Sequence, residues 1–201
     1  NIDGTLLLAE SSIHLNILDK VVIVKGDWNG PGNCALTTGK FYLAGDGNSS
    51  GKIKAGSSTF IYNGVKKQRF KISKYHNVIV DKTGETFTKA NIGTLHIDSL
   101  LVRKGIMNFK GEESYVDVLT IEDSVIFQSQ LQEKKFRNIT IKSTGLFLLD
   151  YNEIVTITGD LQCDGEFKVT DGELIFKDTL AQKISGNGSI YLAKTTINKA
   201  S

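Results

Sequence analysis

Asp46, Asn48 and Ser50 alternate through the stretch GDGNSSGK at 45–52, and Gly51 comes next. Side-chain oxygens at that spacing converge on a hard cation while the glycine permits the turn, so the stretch reads as the opening of a calcium loop. The closing bidentate glutamate is missing: Ser57 holds the twelfth position, and Lys52 and Lys54 add unfavourable charge. An ordinary loop that needs no cofactor is the competing reading. A phosphate loop is excluded. That motif needs four residues between its glycines and a Ser or Thr after the lysine; here five residues separate Gly45 from Gly51, and Ile53 follows Lys52.

Other chemistry is scattered. His14, His76 and His96 have no metal-ligand spacing and read as strand histidines. Glu112 with Glu113, Asp117, Asp123, Asp150 with Glu153, and Asp160 with Asp164 are carboxylates that sugar cleavage would require in convergent pairs. No motif joins them, and the chain reads as non-catalytic. Trp28, Phe41, Tyr42, Phe60, Tyr62 and Tyr75 crowd the first third. If Trp28 and Tyr42 are exposed, they offer a contact surface for glycan or protein; the alternative places Phe41 and Phe60 in a core. Cys34 and Cys163 lack a CxxC spacing and are expected to stay unpaired.

The segments that carry these residues read almost entirely as strands. Runs such as TLLLA (5–9), KVVIVK (20–25), KFYLA (40–44), TFIYN (59–63), NVIVD (77–81), NITI (138–141) and IVTITG (154–159) alternate apolar and polar residues. Gly, Asn, Asp or Ser bounds each run. The best helical window, SQLQEKKFR at 129–137, is too short to carry a helix. With 24 basic and 22 acidic residues in 201, the charge balance points away from nucleic acid. No apolar run is long enough to predict a transmembrane helix.

Repetition selects among the all-β architectures. YHNVIVDKTG (75–84) returns 61 residues later as FRNITIKSTG (136–145), matching Asn77 with Asn138 and Val78 with Ile139. LAKTTINKAS (192–201) is a weaker third copy. VVIVKGD (21–27) resembles IVTITGD (154–160), and GTLLL (4–8) resembles GTLHI (93–97). We therefore expect a single β-solenoid over 1–201 in three units, 1–84, 85–145 and 146–201. It is a parallel β-helix of about ten turns, with tandem β-sandwiches as the alternative. Asn77 and Asn138 are expected at corners, bonding from turn to turn.

The succession GTLLL, VIVKGDWNG, GKFYLAG, TFIYNGVKKQRFKIS and YHNVIVDKTG resembles the β-strand repeats of very large surface proteins of Bacteroidetes, exported by type IX secretion. The resemblance covers nearly the whole chain, through turn and apolar residues and no catalytic signature. It implies a structural, adhesin-like segment that is extracellular, without catalysis, and stacked against adjacent repeats of one parent chain. It also implies possible O-glycosylation at the triplets DSL, DSV and DTL, on Ser99, Ser124 and Thr179. The functional alternatives are a glycan-binding β-module using the insertion near 28–57 and, less favoured, a carbohydrate-active enzyme.

Overall fold

The computed structural model describes residues 1–2, 4, 6–7, 14–30, 33–46, 53–70, 74–87, 94–110, 113–127, 133–178 and 181–199. Among them every regular element is a strand, and every pairing between strands is parallel. Glu133–Ile141, which overlaps the best helical window, is a strand. The tandem-sandwich alternative requires antiparallel pairs and is not what forms.

The chain winds through three columns of stacked strands. In the first, Val21–Val24 pairs with Lys40–Leu43, then Thr59–Tyr62, then 77–80 and 99–102. It continues through 118–121, 138–141, Leu161–Cys163 and Ile184–Ser185. Nine strands separated by eight steps make a solenoid of about eight turns, against the ten expected. A turn ranges from 18 residues, Thr59 to Asn77, to 23, Leu161 to Ile184. The second column includes Gln68–Arg69, 85–87, 106–109, Ser124–Phe127, 146–149, 166–169 and Ser189–Leu192. The third includes 74–75, 95–97, 114–116, 133–136, 154–157, 173–178 and Thr195–Lys199.

Alternation explains why these segments become strands. Successive side chains point to opposite faces, so every second residue enters the interior. Along the first column Val24, Leu43, Tyr62, Val80, Val102, Ile121, Ile141 and Cys163 lie in one register row, and all are buried. Each such burial stabilises by about 1.5–3 kcal/mol before the entropy of ordering is subtracted. In the second column Phe147 stacks on Phe167 with centroids 4.4 Å apart and lies tilted against Phe127 at 4.9 Å. Phe136 enters edge-on from the third column, 6.1 Å from both Phe127 and Phe147.

The 61-residue offset is three turns. Asn77, Ser99, Val118 and Asn138 form one register row, as do Tyr75, Ile97, Val116 and Phe136. The third copy falls elsewhere: Ile197 sits above Phe176 in the third column, not above Ile141 in the first. The likeness of 21–27 to 154–160 likewise joins a first-column strand to a third-column strand.

Two corners carry bulges. Register shifts between Val80 and Glu85, where Gly84 and Gly105 take φ of 106° and 90°, values that favour glycine. A β-carbon on Gly105 would also strike the Lys82 carbonyl.

Candidate functional site

The calcium-loop reading is met by a corner clamp. Asp27 Oδ1 accepts the backbone N–H of Asp46 at 2.7 Å. Asp46 Oδ1 in turn accepts the N–H of Arg69 at 2.9 Å, and Asp46 Oδ2 pairs with Arg69 Nε at 2.7 Å. Both oxygens of Asp46 are thus turned to the next rung, and a cation would have to displace a guanidinium. Asn48 and Ser50 lie outside the described residues. No group of three His, Cys, Asp or Glu arranged to hold a metal occurs among the described residues.

The same device recurs. Asn138 Oδ1 accepts the N–H of Asp160 at 2.9 Å, and Asp160 Oδ1 accepts that of Lys183 at 2.8 Å. Asn138 is therefore the turn-to-turn corner residue that the repeat predicts. Two glutamines clamp carbonyls. Gln68 donates to the Leu43 and Gly45 carbonyls, and Gln182 to those of Ile157 and Gly159, all at 2.7–2.9 Å.

A denser polar group sits beside the first bulge. Glu85 pairs with Lys67 at 2.8 Å and Lys110 at 3.2 Å, and accepts from Asn108 Nδ2 at 2.6 Å. Burial pushes its carboxyl up, but these donors outweigh it and hold the group below the usual range. Lys82 is buried and donates to the Lys66 and Glu85 carbonyls. Burial lowers its ammonium to about 8, against the opposing pull of Asp46 and Glu85. These groups tie the bulge to its neighbouring rungs. Sequence reasoning missed them, because a lysine beside a turn reads as solvated. Lys134, fully buried, was missed for the same reason, and Glu153, read only as a possible catalytic carboxylate, is fully buried too.

Trp28 corrects the exposed-aromatic expectation. It is fully buried, tilted against Phe41 at 5.2 Å and stacked with Phe60 at 6.2 Å. Its position inward of a short strand, Trp28–Asn29, leaves no ring face for a glycan. Tyr42 does point outward, half-buried between Ile23 and Ile61 in the first column's outer row. Of the glycan pair, Tyr42 alone is on the surface.

Ser99 and Ser124 are half-buried on outward positions, and Ser124 donates to Asp123 Oδ1 at 3.0 Å. Thr179 lies outside the described residues. His76 pairs with Asp98 at 2.7 Å, while His96 stacks on Tyr115 at 5.0 Å and Lys135 covers that ring at 5.0 Å. His14 begins the strand His14–Ile17. The carboxylates disperse to different corners: Asp117 lies near Arg137, Asp164 Oδ1 accepts the N–H of Asn187, and Asp123 Oδ2 accepts that of Gly105. Both cysteines are free and buried in different columns. Burial pushes the Cys34 thiol up to about 12.

Apolar side chains are also exposed on the last described rung. Ile184 follows buried Leu161, Ile190 follows Phe167, Leu192 follows Val169 and Ile197 follows Phe176, each continuing an inward row. Yet they are 50%, 36%, 42% and 72% exposed. Four core positions thus face solvent at one end, beside the open edges of Ser189–Leu192 and Thr195–Lys199. Comparison with protein-family models, curated proteins and solved structures finds no match to this chain.

Proposed function

We propose that this chain is a non-catalytic structural segment of a large extracellular bacterial surface or adhesin-like protein, stacked end to end with adjacent repeats of the same parent chain. The observation that supports it is the C-terminal rung, whose inward row residues are apolar and exposed. A further rung in parallel register would cover them and pair the open edges, as each rung does for the one before. The Bacteroidetes origin, the type IX route and the modification of Ser99, Ser124 and Thr179 rest on the resemblance of the GTLLL-to-YHNVIVDKTG succession.

The test is the intact mass of the native parent polypeptide, with peptide mapping to this sequence. A chain many times larger than 22.0 kDa, carrying further peptides of the same pattern, is expected. Added mass on peptides bearing Ser99, Ser124 or Thr179 would support the secretion route. A native polypeptide of 22.0 kDa would overturn the stalk reading.

A further inference from the structure

We infer that the outer face of the first column docks a second copy of this chain, flank to flank and with the two axes antiparallel. The contact lies on the side of the rod and goes beyond the stalk reading.

Alternation sends Ile23, Tyr42, Ile61, Ile79 and Leu101 outward in one unbroken row. After Leu101 the row turns polar, through Thr120, Thr140 and Gln162. The apolar stretch therefore runs along successive rungs in the middle of the face and stops. Ile61, between Tyr42 and Ile79 in the row, is 5% exposed, and the other four are half-buried. Two residues earlier on each strand, a second outward row runs Val21, Lys40, Thr59, Asn77, Ser99 and Val118. Val21 is 58% and Val118 36% exposed, one at each end of that row. A contiguous apolar strip with a polar rim marks a contact surface.

The occupant follows from how the face matches itself. A two-fold axis along the strand direction, midway between Ile61 and Ile79, sets the rungs of two copies against each other in reverse order. Ile61 then faces Ile79 of the second copy, Tyr42 faces its Leu101, and Val21 its Val118. The hydrogen-bond ladder runs one residue past the strands: the N–H groups of Ala44, Asn63 and Glu122 bond to the carbonyls of Val24, Leu43 and Val102. Lys25 and Glu122 therefore share one edge of the face, on the same rungs as Val21 and Val118. Lys25 of each copy meets Glu122 of the other. An axis through Ile61 would instead set Lys25 against Arg103, like charge against like.

Rungs about 4.8 Å apart and strands of about 3.3 Å per residue give roughly 460 Å² per copy over the rungs from Val21 to Val118. That is the size of a weak, reversible interface. A contact of this symmetry closes at the dimer. A glycan on Ser99 would stand on the same face, so docking and modification there exclude each other.

The experiment uses the 201-residue chain and three variants, Lys25→Glu, Glu122→Lys and Leu101→Lys. All three change outward side chains, and thermal melting checks that each folds, within about 4 °C of the parent. Sedimentation velocity reads size between about 10 µM and about 1 mM, at low salt, where charge pairs are least screened.

The parent is expected to pass from monomer to dimer. Lys25→Glu brings two carboxylates together at both ends of the contact, and Glu122→Lys two ammonium groups. Each alone should associate at least about tenfold more weakly. An equimolar mixture of these two should recover the parent's affinity, because every charge then meets its opposite. Leu101→Lys should weaken dimerisation by at least about tenfold, alone or mixed with either. A parent that stays monomeric across the range would overturn the inference. So would a dimer unmoved by Leu101→Lys, which would place the contact on another face. Charge variants whose mixture is no tighter than either alone would reject the antiparallel arrangement.

Discussion

Replacing Phe147 with alanine would open the densest part of the interior. The ring is fully buried, 4.4 Å from Phe167 in a stack, 4.9 Å from Phe127 and 6.1 Å from Phe136 edge-on. Phe→Ala truncations at such sites cost about 3–5 kcal/mol, because lost transfer free energy adds to an unfilled cavity. Three aromatic neighbours cannot collapse into the space without breaking their own stacking, so we expect about 4 kcal/mol. Phe147→Leu keeps most of the volume and should cost less than about 1.5 kcal/mol. Ile197→Ala is the control: that side chain continues an inward row yet is 72% exposed, and its loss should stay within about 0.5 kcal/mol. Urea unfolding would show a lower midpoint with an unchanged slope. Hydrogen exchange should quicken first in 124–127, 146–149 and 166–169, since each rung leans on its immediate neighbours. A loss below about 1.5 kcal/mol for Phe147→Ala, or a loss as large for Ile197→Ala, would refute the reasoning.

Three further outcomes follow from local geometry. Gly105→Ala forces a side chain into a left-handed backbone against the Lys82 carbonyl, and should cost about 2 kcal/mol or more by thermal melting, whereas Lys104→Ala should cost little. Glu85 has a folded pKa held down by Lys67, Asn108 and Lys110 despite its burial. Its contribution is therefore complete above the unfolded value of about 4.3 and lost as pH falls through the lower folded value. Denaturation followed between about pH 6 and about pH 3 should show this loss, and Glu85→Gln should flatten it. Cys34, buried with its thiol pushed up to about 12, and Cys163, pushed up by burial, should resist Ellman's reagent at pH 8 until denaturant is added. Prompt reaction of either in the folded chain would contradict their placement.

The solenoid could be read from residues such as Val78 and Val80, whose alternation recurs at Ile139 and Ile141 and proves to be the same pair of inward rows three turns on. What alternation could not supply was the column. All three columns require the same thing, a short alternating strand closed by a small or polar corner residue. VVIVKGD and IVTITGD therefore look alike while lying on different faces. Trp28 was misread for a related reason: in a strand of two residues there is no alternation to show which way a ring points. Asp46 supported two readings because oxygens spaced to hold a cation are also spaced to accept backbone N–H groups from the next rung. Lys82 and Gln68 carried no periodic signal, since each reaches a carbonyl far away in sequence, Lys66 for Lys82 and Leu43 for Gln68.

The rungs lie across the axis, and this bears on how the molecule would answer a pull along it. Force applied at the two ends would load the strand pairs one row at a time, as a zipper is loaded, instead of shearing all of them together. One turn of about 20 residues occupies about 4.8 Å of rod but holds about 70 Å of extended chain. Each rung that peels away would therefore lengthen the molecule more than tenfold over the space it filled. It would also leave the next rung as a fresh template on which the chain can rewind. Such a rod is stiff while intact and extensible under load, with the reserve of length stored turn by turn.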